Sequence, residues 1–508
     1  MSSCSEKGQP YIDNDVRYYI SRSVLPCIIS LLCILMTSAL LWPGSCTRIK
    51  ANHGKGWYSP MSGKYSYQET CKFVYFFQAI LLMAFLSAGS HALAFTPASS
   101  GSRLFHKGGT GDCDGCHLMQ GSSAIRTDTE DPANVTLDLR GSDPSSTCLR
   151  CHQAPAGGGL QKEHYIATSS ADLGAGAPPR QMTPGGDFGW LKKNYRWSGS
   201  GEQGGSRGER HGHNITAMDY NYSADSTISV SPGGSYPASS LSCISCHDPH
   251  GNYRRFADGT TGTSGVPIIA SGSYKSSPDP DAGSAVGSYR LLAGKEYQSK
   301  HFPGGTPFTA DPPAAVAPDN YNRGEAVTDT RVAYGSGMSE WCANCHAAIH
   351  NGNYPNVSRH PSGNSARLSM EITVNYYSYI SSGNMSGNAN NSYTSLVPFE
   401  MGSKDYRELK AASNSDGSDR NGPSGNANVM CLSCHRAHAS GSDSMTRFNV
   451  QADFMVYNGR YPGINNGAPA ELAQGRTEAE AQKTLYDRPA NLFASYQRSL
   501  CNKCHAKD

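Results

Sequence analysis

The sequence predicts a mostly irregular chain with short α- and 3₁₀-helices and few short strands, and three observations carry that prediction. From Phe95 onward Gly, Ser, Asn, Pro and Asp interrupt nearly every apolar run, as in 154–159, 199–208, 276–283 and 381–392, so neither a helical period nor an alternating one is sustained. Few segments are apolar enough to build the core that about four hundred residues normally bury. A short cysteine–histidine motif recurs six times at uneven intervals, which is no solenoid repeat and points to bound groups in place of the missing core.

Twelve of the seventeen cysteines make up that motif, C-x-x-C followed directly by His. Its copies are Cys113-Cys116-His117, Cys148-Cys151-His152, Cys243-Cys246-His247, Cys342-Cys345-His346, Cys431-Cys434-His435 and Cys501-Cys504-His505. The pattern is the attachment signature of c-type haem: two thiols add to the two vinyl groups, and the adjacent histidine reaches the iron from one side. A zinc hairpin shares C-x-x-C but does not require the adjacent histidine, and six repetitions of that detail favour six covalently bound c-type haems. The chain then reads as a multihaem cytochrome c wrapped around a chain of six haems, with Tyr, Phe and Trp filling the gaps. Short helices are expected at the motifs, because C-x-x-C places both thiols on one face of a helical turn. The longest helix expected is 469–486, opened by Pro469 and weakened by Gly475.

The second axial ligand separates a carrier from an enzyme, since an open distal side invites small-molecule chemistry and a second strong ligand suits electron transfer. Beyond the six motif histidines, and His53 and His91 near the N-terminus, nine remain: His106, His164, His211, His213, His250, His301, His350, His360 and His438. This supply exceeds six and fits two histidines on every iron. Met182, Met338 and Met445 are the alternative distal ligands. His250 and His438 each lie three residues after a motif histidine, and His350 lies four after His346. Such side chains start on the wrong side to reach round their own porphyrin, so each is expected to serve a neighbouring haem.

The other five cysteines, Cys4, Cys27, Cys33, Cys46 and Cys71, precede the first motif. The apolar stretch 73–93 follows Lys64 and Lys72 and ends in Ala92-Leu93-Ala94, the order of a secretory signal, so 61–94 reads as a signal peptide and 95–508 as the mature hexahaem domain. Residues 1–60, with a second apolar stretch at 25–42, read as an upstream extension from a miscalled start. A mature chain with no spare thiol suits export through the periplasm. Forty-three basic against forty-one acidic residues leave no charge excess for nucleic acid.

The segments 182–190, 243–251, 332–346, 431–441 with 444–449, and 500–508 resemble those of a known family, the hexahaem outer-surface cytochromes of the OmcS type. That resemblance runs from about residue 105 to the C-terminus. It implies bis-histidine haems stacked in a line, a largely coil backbone, self-association into extracellular filaments, and electron delivery from partner cytochromes to minerals, electrodes or partner cells. By position it implies His164, His213, His250, His350, His360 and His438 as distal ligands and His106 as the candidate intersubunit ligand, and it demotes His211 and His301. In filament-forming relatives a histidine three residues after the first motif histidine would cross to the next subunit, and here Gln120 holds that place. Two other functions stay open. One is a monomeric periplasmic shuttle; the other is a small-oxyanion reductase, whose usual altered motif C-x-x-C-K is absent.

Overall fold

Secondary structure is short throughout because glycines and left-handed turns break each run. The computed structural model describes residues 110–506 apart from 119–124, 128–134, 159–161, 200, 327–329, 354, 356–359, 393–396, 415–422 and 424. The expected upstream extension over 1–60, the expected signal peptide over 61–94, His106 and Gln120 lie outside the described residues.

Each motif sits on a helical turn, as its spacing requires. These are the α-helices Thr110–Cys116, Pro144–His152, Met338–His350, Cys431–Cys434 and Asn502–His505 and the 3₁₀-helix Cys243–Ser245. Pro144 opens its helix after Asp143, whose carboxylate accepts from the Ser146 amide at 2.7 Å. Among the described residues the strands form three antiparallel pairs and one four-stranded sheet, in which Ala285–Gly287 lies between Arg254–Arg255 and Ile268–Ala270. The predicted mixture of short elements is what the chain adopts. No described helix is long and apolar enough to cross a membrane.

The expected helix over 469–486 is two helices, Ala470–Ala473 and Glu478–Thr484. Gln474 and Gly475 between them are left-handed, at φ 48° and 76°, and a Cβ on Gly475 would stand 2.7 Å from the Arg196 carbonyl oxygen. The break therefore lets another strand pass close by. Thr477 and Glu480 restart the helix as a reciprocal capping box.

Apolar side chains form several small clusters in seams between motif helices. One joins Met338, ahead of the fourth motif, to Met430 and Leu432 of the fifth. Another sets Leu149 of the second motif against Phe188, Ile215 and Tyr222, with Cys243 of the third at its margin. A third brings Leu500 beside Phe448, Tyr461 and Leu485. Each seam is too small to be a domain core, so the motifs are where the fold is tied together.

Glu400 closes the first of these seams from below: fully buried, it accepts from the Met338 amide at 2.8 Å and leaves its second oxygen without a protein donor. Burial, more than the nearby Glu340, pushes its carboxyl up from 4.5 to about 7. A carboxyl raised on folding contributes stability that is complete below its unfolded value and is lost as pH rises through the folded one. Wild-type stability should therefore fall by about 2–3 kcal/mol relative to Glu400→Gln as pH rises from 4.5 to 7. Denaturant midpoints across that range measure it, and parallel pH profiles for the two proteins would refute it.

Candidate metal centres

Within each motif the backbone closes one turn. The amides of His117, His247, His435 and His505 donate to the carbonyl oxygen of the first cysteine of their own motif, at 2.8–3.1 Å. The imidazoles are then aimed by their other nitrogen. Nδ1 lies 2.7 Å from the His164 carbonyl oxygen in His152, and 2.8 Å from those of Arg290, Pro232 and Ser444 in His247, His346 and His435. A carbonyl oxygen carries no proton, so Nδ1 must donate and Nε2 keeps its lone pair for a metal.

Opposite five of the six motif histidines stands a second imidazole. The ring centres are 6.4 Å apart for His117 and His250, 6.3 Å for His152 and His164, 6.4 Å for His247 and His438, 6.0 Å for His346 and His213, and 6.2 Å for His505 and His360. The interplanar angles run from 4° to 84°. A fixed separation with an arbitrary twist is the signature of two rings on one axis. Two nitrogens each about 2 Å from a shared metal, with about 1 Å more from nitrogen to ring centre on each side, place the centres about 6 Å apart. Among the described residues no three or more His, Cys, Asp or Glu side chains gather to hold a bare ion. Two imidazoles complete an iron only when a macrocycle supplies the other four nitrogens.

Two of the facing rings are held in the same way. His213 Nδ1 donates to the Ala437 carbonyl oxygen at 2.7 Å, and His360 Nδ1 to that of Pro361 at 3.0 Å. Burial brings His213 down to about 4 and His438 to about 3, keeping both neutral and able to ligate. Phe188 stacks on His438 at 4.7 Å, while Gly185 lies so near that ring that a Cβ there would approach its Nδ1 to 2.8 Å. The glycine-rich segment around 185 therefore makes room for the His438 ring.

The sulfurs, which stand for the thioether atoms of the loaded protein, give the spatial order of the motifs. Burial and then Cys151 raise the Cys116 thiol. Cys148 and Cys243 share a hydrogen bond that raises the first and lowers the second. Burial and then Cys345 raise Cys246, and a second shared hydrogen bond raises Cys342 and holds Cys431 at about 5. Burial and then Cys501 raise Cys434. Each motif thus neighbours the next in sequence, and the second and third, like the fourth and fifth, meet through their first cysteines. Identical clasps fasten the first-cysteine contacts: Ser145 Oγ accepts from the Cys243 amide at 3.1 Å and Ser339 Oγ from the Cys431 amide at 3.0 Å.

The remaining described histidines are placed otherwise. His350 faces no motif histidine, and its Nε2 is 3.9 Å from Glu340. His211 is buried between Ser206 Oγ, at 2.7 Å, and the Trp190 carbonyl, at 3.0 Å, and His301 donates to the Ser240 carbonyl. Sequence reasoning passed over three arginines beside the motifs. Arg436 and Arg447 are buried, Arg436 stacks 3.7 Å above Tyr486, and Arg290 Nη2 and Arg436 Nε have no protein acceptor. Burial, and then Arg436 beside it, brings Arg447 down to about 9. None of the three has a carboxylate at ion-pair distance among the described residues. Buried guanidiniums without a counter-ion call for an anion, and a haem brings two propionates. The residues present fit the group that the motifs imply.

No family model matches the chain. C-type cytochrome OmcS of Geobacter sulfurreducens is 50% identical over 422 residues, which cover 82% of this chain and 97% of that protein. Two cryo-EM and filament structures are similar as well. The OmcS nanowires of Geobacter sulfurreducens match with a TM-score of 0.72 at 51% identity, and an outer-membrane cytochrome S filament of the same organism with 0.72 at 50%; each covers 79% of this chain and all of the matched one.

The serine clasps are open to direct test. Ser339→Ala strands the half-buried Cys431 amide without its acceptor and should destabilise the loaded protein by about 1–2 kcal/mol in denaturant unfolding, with Ser145→Ala similar. Changes below about 0.5 kcal/mol in both variants would show that the clasps do not hold the motifs together.

Proposed function

The chain belongs to the OmcS family of c-type cytochromes, which are electron carriers, and from that membership we propose that it is a hexahaem conductor assembling into extracellular filaments. In this reading the twelve motif cysteines bind six haems covalently, and His117, His152, His247, His346, His435 and His505 are the proximal ligands. His250, His164, His438, His213 and His360 are the distal ligands of the first, second, third, fourth and sixth haems. Arg290, Arg436 and Arg447 hold propionates.

One observation carries the proposal: five imidazole pairs of constant separation stand on motifs that neighbour one another in sequence order. Each haem, once bound, accepts and releases one electron at its iron. What the chain contributes is spacing and rigidity. The serine clasps hold the third motif to the second and the fifth to the fourth, and electron hopping, which falls steeply with distance, is favoured by such close spacing. Neighbouring distal sides are joined too, because the His213 amide donates to the His438 carbonyl oxygen at 2.9 Å. Histidine on both faces leaves little change in coordination between oxidation states, so little reorganisation opposes each hop. Filaments would be exported to the cell surface, receive electrons from partner cytochromes, and discharge to minerals, electrodes or other cells. A head-to-tail contact that does not close into a ring propagates in this way.

Electron microscopy of the secreted material should show filaments; six-haem monomers alone would support the soluble shuttle instead. The pairing is tested separately. His438→Ala removes the imidazole opposite His247 and should make about one haem per chain high-spin in the ferric spectrum. A spectrum unchanged from wild type would refute that assignment.

A further inference from the structure

The strand Arg254–Arg255 turns back through 256–260 and pairs with Thr261–Gly262. Asp258 tightens the turn by accepting from the Thr260 amide at 2.9 Å, and Gly259 completes it at φ 80°. In this register Arg255 lies directly across from Thr261, so both side chains leave the sheet on one face. Both line one cavity of about 140 Å³, several times the roughly 30 Å³ that a water molecule occupies in the liquid.

The polar groups of this cavity are unevenly matched. Arg255 is only 5% exposed, and its Nη2 donates to the Lys404 carbonyl oxygen. Its Nε has no protein acceptor, and no carboxylate lies at ion-pair distance among the described residues. Thr261 Oγ1, across the hairpin, is buried and likewise unbonded. Ser288 is committed, since its hydroxyl donates to the Leu292 carbonyl oxygen at 2.8 Å. Exposed Lys404 adds a second positive charge to the wall, and exposed Asp311 adds a carboxylate. Two cations against one carboxylate leave the cavity positive. A buried guanidinium donor and a buried hydroxyl without partners are unfavourable, and an anion with several oxygens satisfies both.

We propose that this cavity binds a small tetrahedral oxyanion and that the ion is hydrogen phosphate. Arg255 Nε, Thr261 Oγ1 and the Lys404 ammonium donate to its oxygens. Asp311 selects among such ions. A carboxylate only accepts hydrogen bonds, so it tolerates hydrogen phosphate, which keeps a P–OH at neutral pH, and disfavours sulfate, which has none. Tyr289, on the wall, precedes Arg290, whose carbonyl oxygen accepts from His247 Nδ1, so the ion would border the third motif. None of the residues that would hold it is assigned to a haem, and the site stands whether or not the chains assemble into filaments. A haem propionate is the other source of anionic oxygens in the loaded protein, and in this cavity it would leave no room for a free ion.

Radiolabelled inorganic phosphate is the probe, dialysed to equilibrium against the full-length holoprotein in phosphate-free buffer near neutral pH, with intact mass giving the haem count. About one phosphate should bind per chain, and sulfate should compete about tenfold more weakly. Thr261→Val, which keeps the shape and removes the hydroxyl, should weaken phosphate about tenfold, and Lys404→Gln, an exposed change, about threefold. Asp311→Asn should bring sulfate to within about threefold of phosphate. A six-haem wild type that takes up no phosphate would overturn the proposal, because a propionate or a protein group then fills the cavity. Equal affinity of the wild type for sulfate and phosphate would refute the choice of ion. Uptake unchanged in both Thr261→Val and Lys404→Gln would put the ion elsewhere and refute the site. The electron-carrier reading, which rests on the motifs and the family, stands in all three cases.

Discussion

The hydrogen bond from imidazole Nδ1 to a main-chain carbonyl is the interaction on which the rest of this structure depends. In His152, His247, His346 and His435 it fixes the tautomer, leaves Nε2 its lone pair for a metal, and ties the motif to a loop that is often remote. His346 reaches back to Pro232 and His247 forward to Arg290, so aiming a ligand also folds the insert between them. A chain with so little regular structure has few other long-range ties of fixed direction. The porphyrins provide apolar bulk, and these bonds determine where the backbone lies around it.

Neighbouring centres are joined on both faces, which links packing to conduction. On the sulfur side, Ser145 and Ser339 repeat one clasp between the second and third and between the fourth and fifth motifs. On the distal side, the backbone beside His213 pairs with the backbone beside His438, and a Cβ on Gly186 would fall 1.8 Å from the Ala439 carbonyl oxygen. Asp187, fully buried, holds this corner by accepting from the amides of Thr168, Gln181 and Gly189 at 2.7–2.9 Å. Phe188 is thereby set on His438. A perturbation at one centre must displace backbone shared with the next, so the spacing between irons is better protected than the short elements alone would suggest.

Electrostatics divides in the same way. Burial keeps the His213 and His438 rings neutral, as ligands must be, whereas Arg436 and Arg447 remain close together without a carboxylate among the described residues. The polypeptide by itself carries an uncompensated positive charge that its cofactors would balance. Loading and folding are therefore coupled through charge as well as through apolar area.

The sequence by itself determined the attachment chemistry and the texture of the fold. C-x-x-C-H is a local pattern whose five residues form one turn wherever they occur, and the frequency of Gly, Pro and Asn excludes long elements without reference to partners. It also led to the expectation that His250 and His438 serve neighbouring haems, and their rings stand opposite His117 and His247. What only the tertiary structure decided was non-local: the order of the six centres, which distal ring faces which motif, the placing of His350 beside Glu340, and the lack of a described imidazole across from His435. The break at Gln474 and Gly475 belongs here too, since it answers to Arg196 far away in the chain. The buried arginines were illegible for the same reason. An Arg in a polar sequence reads as a solvated surface charge, and only packing reveals that the anion it needs is not part of the protein.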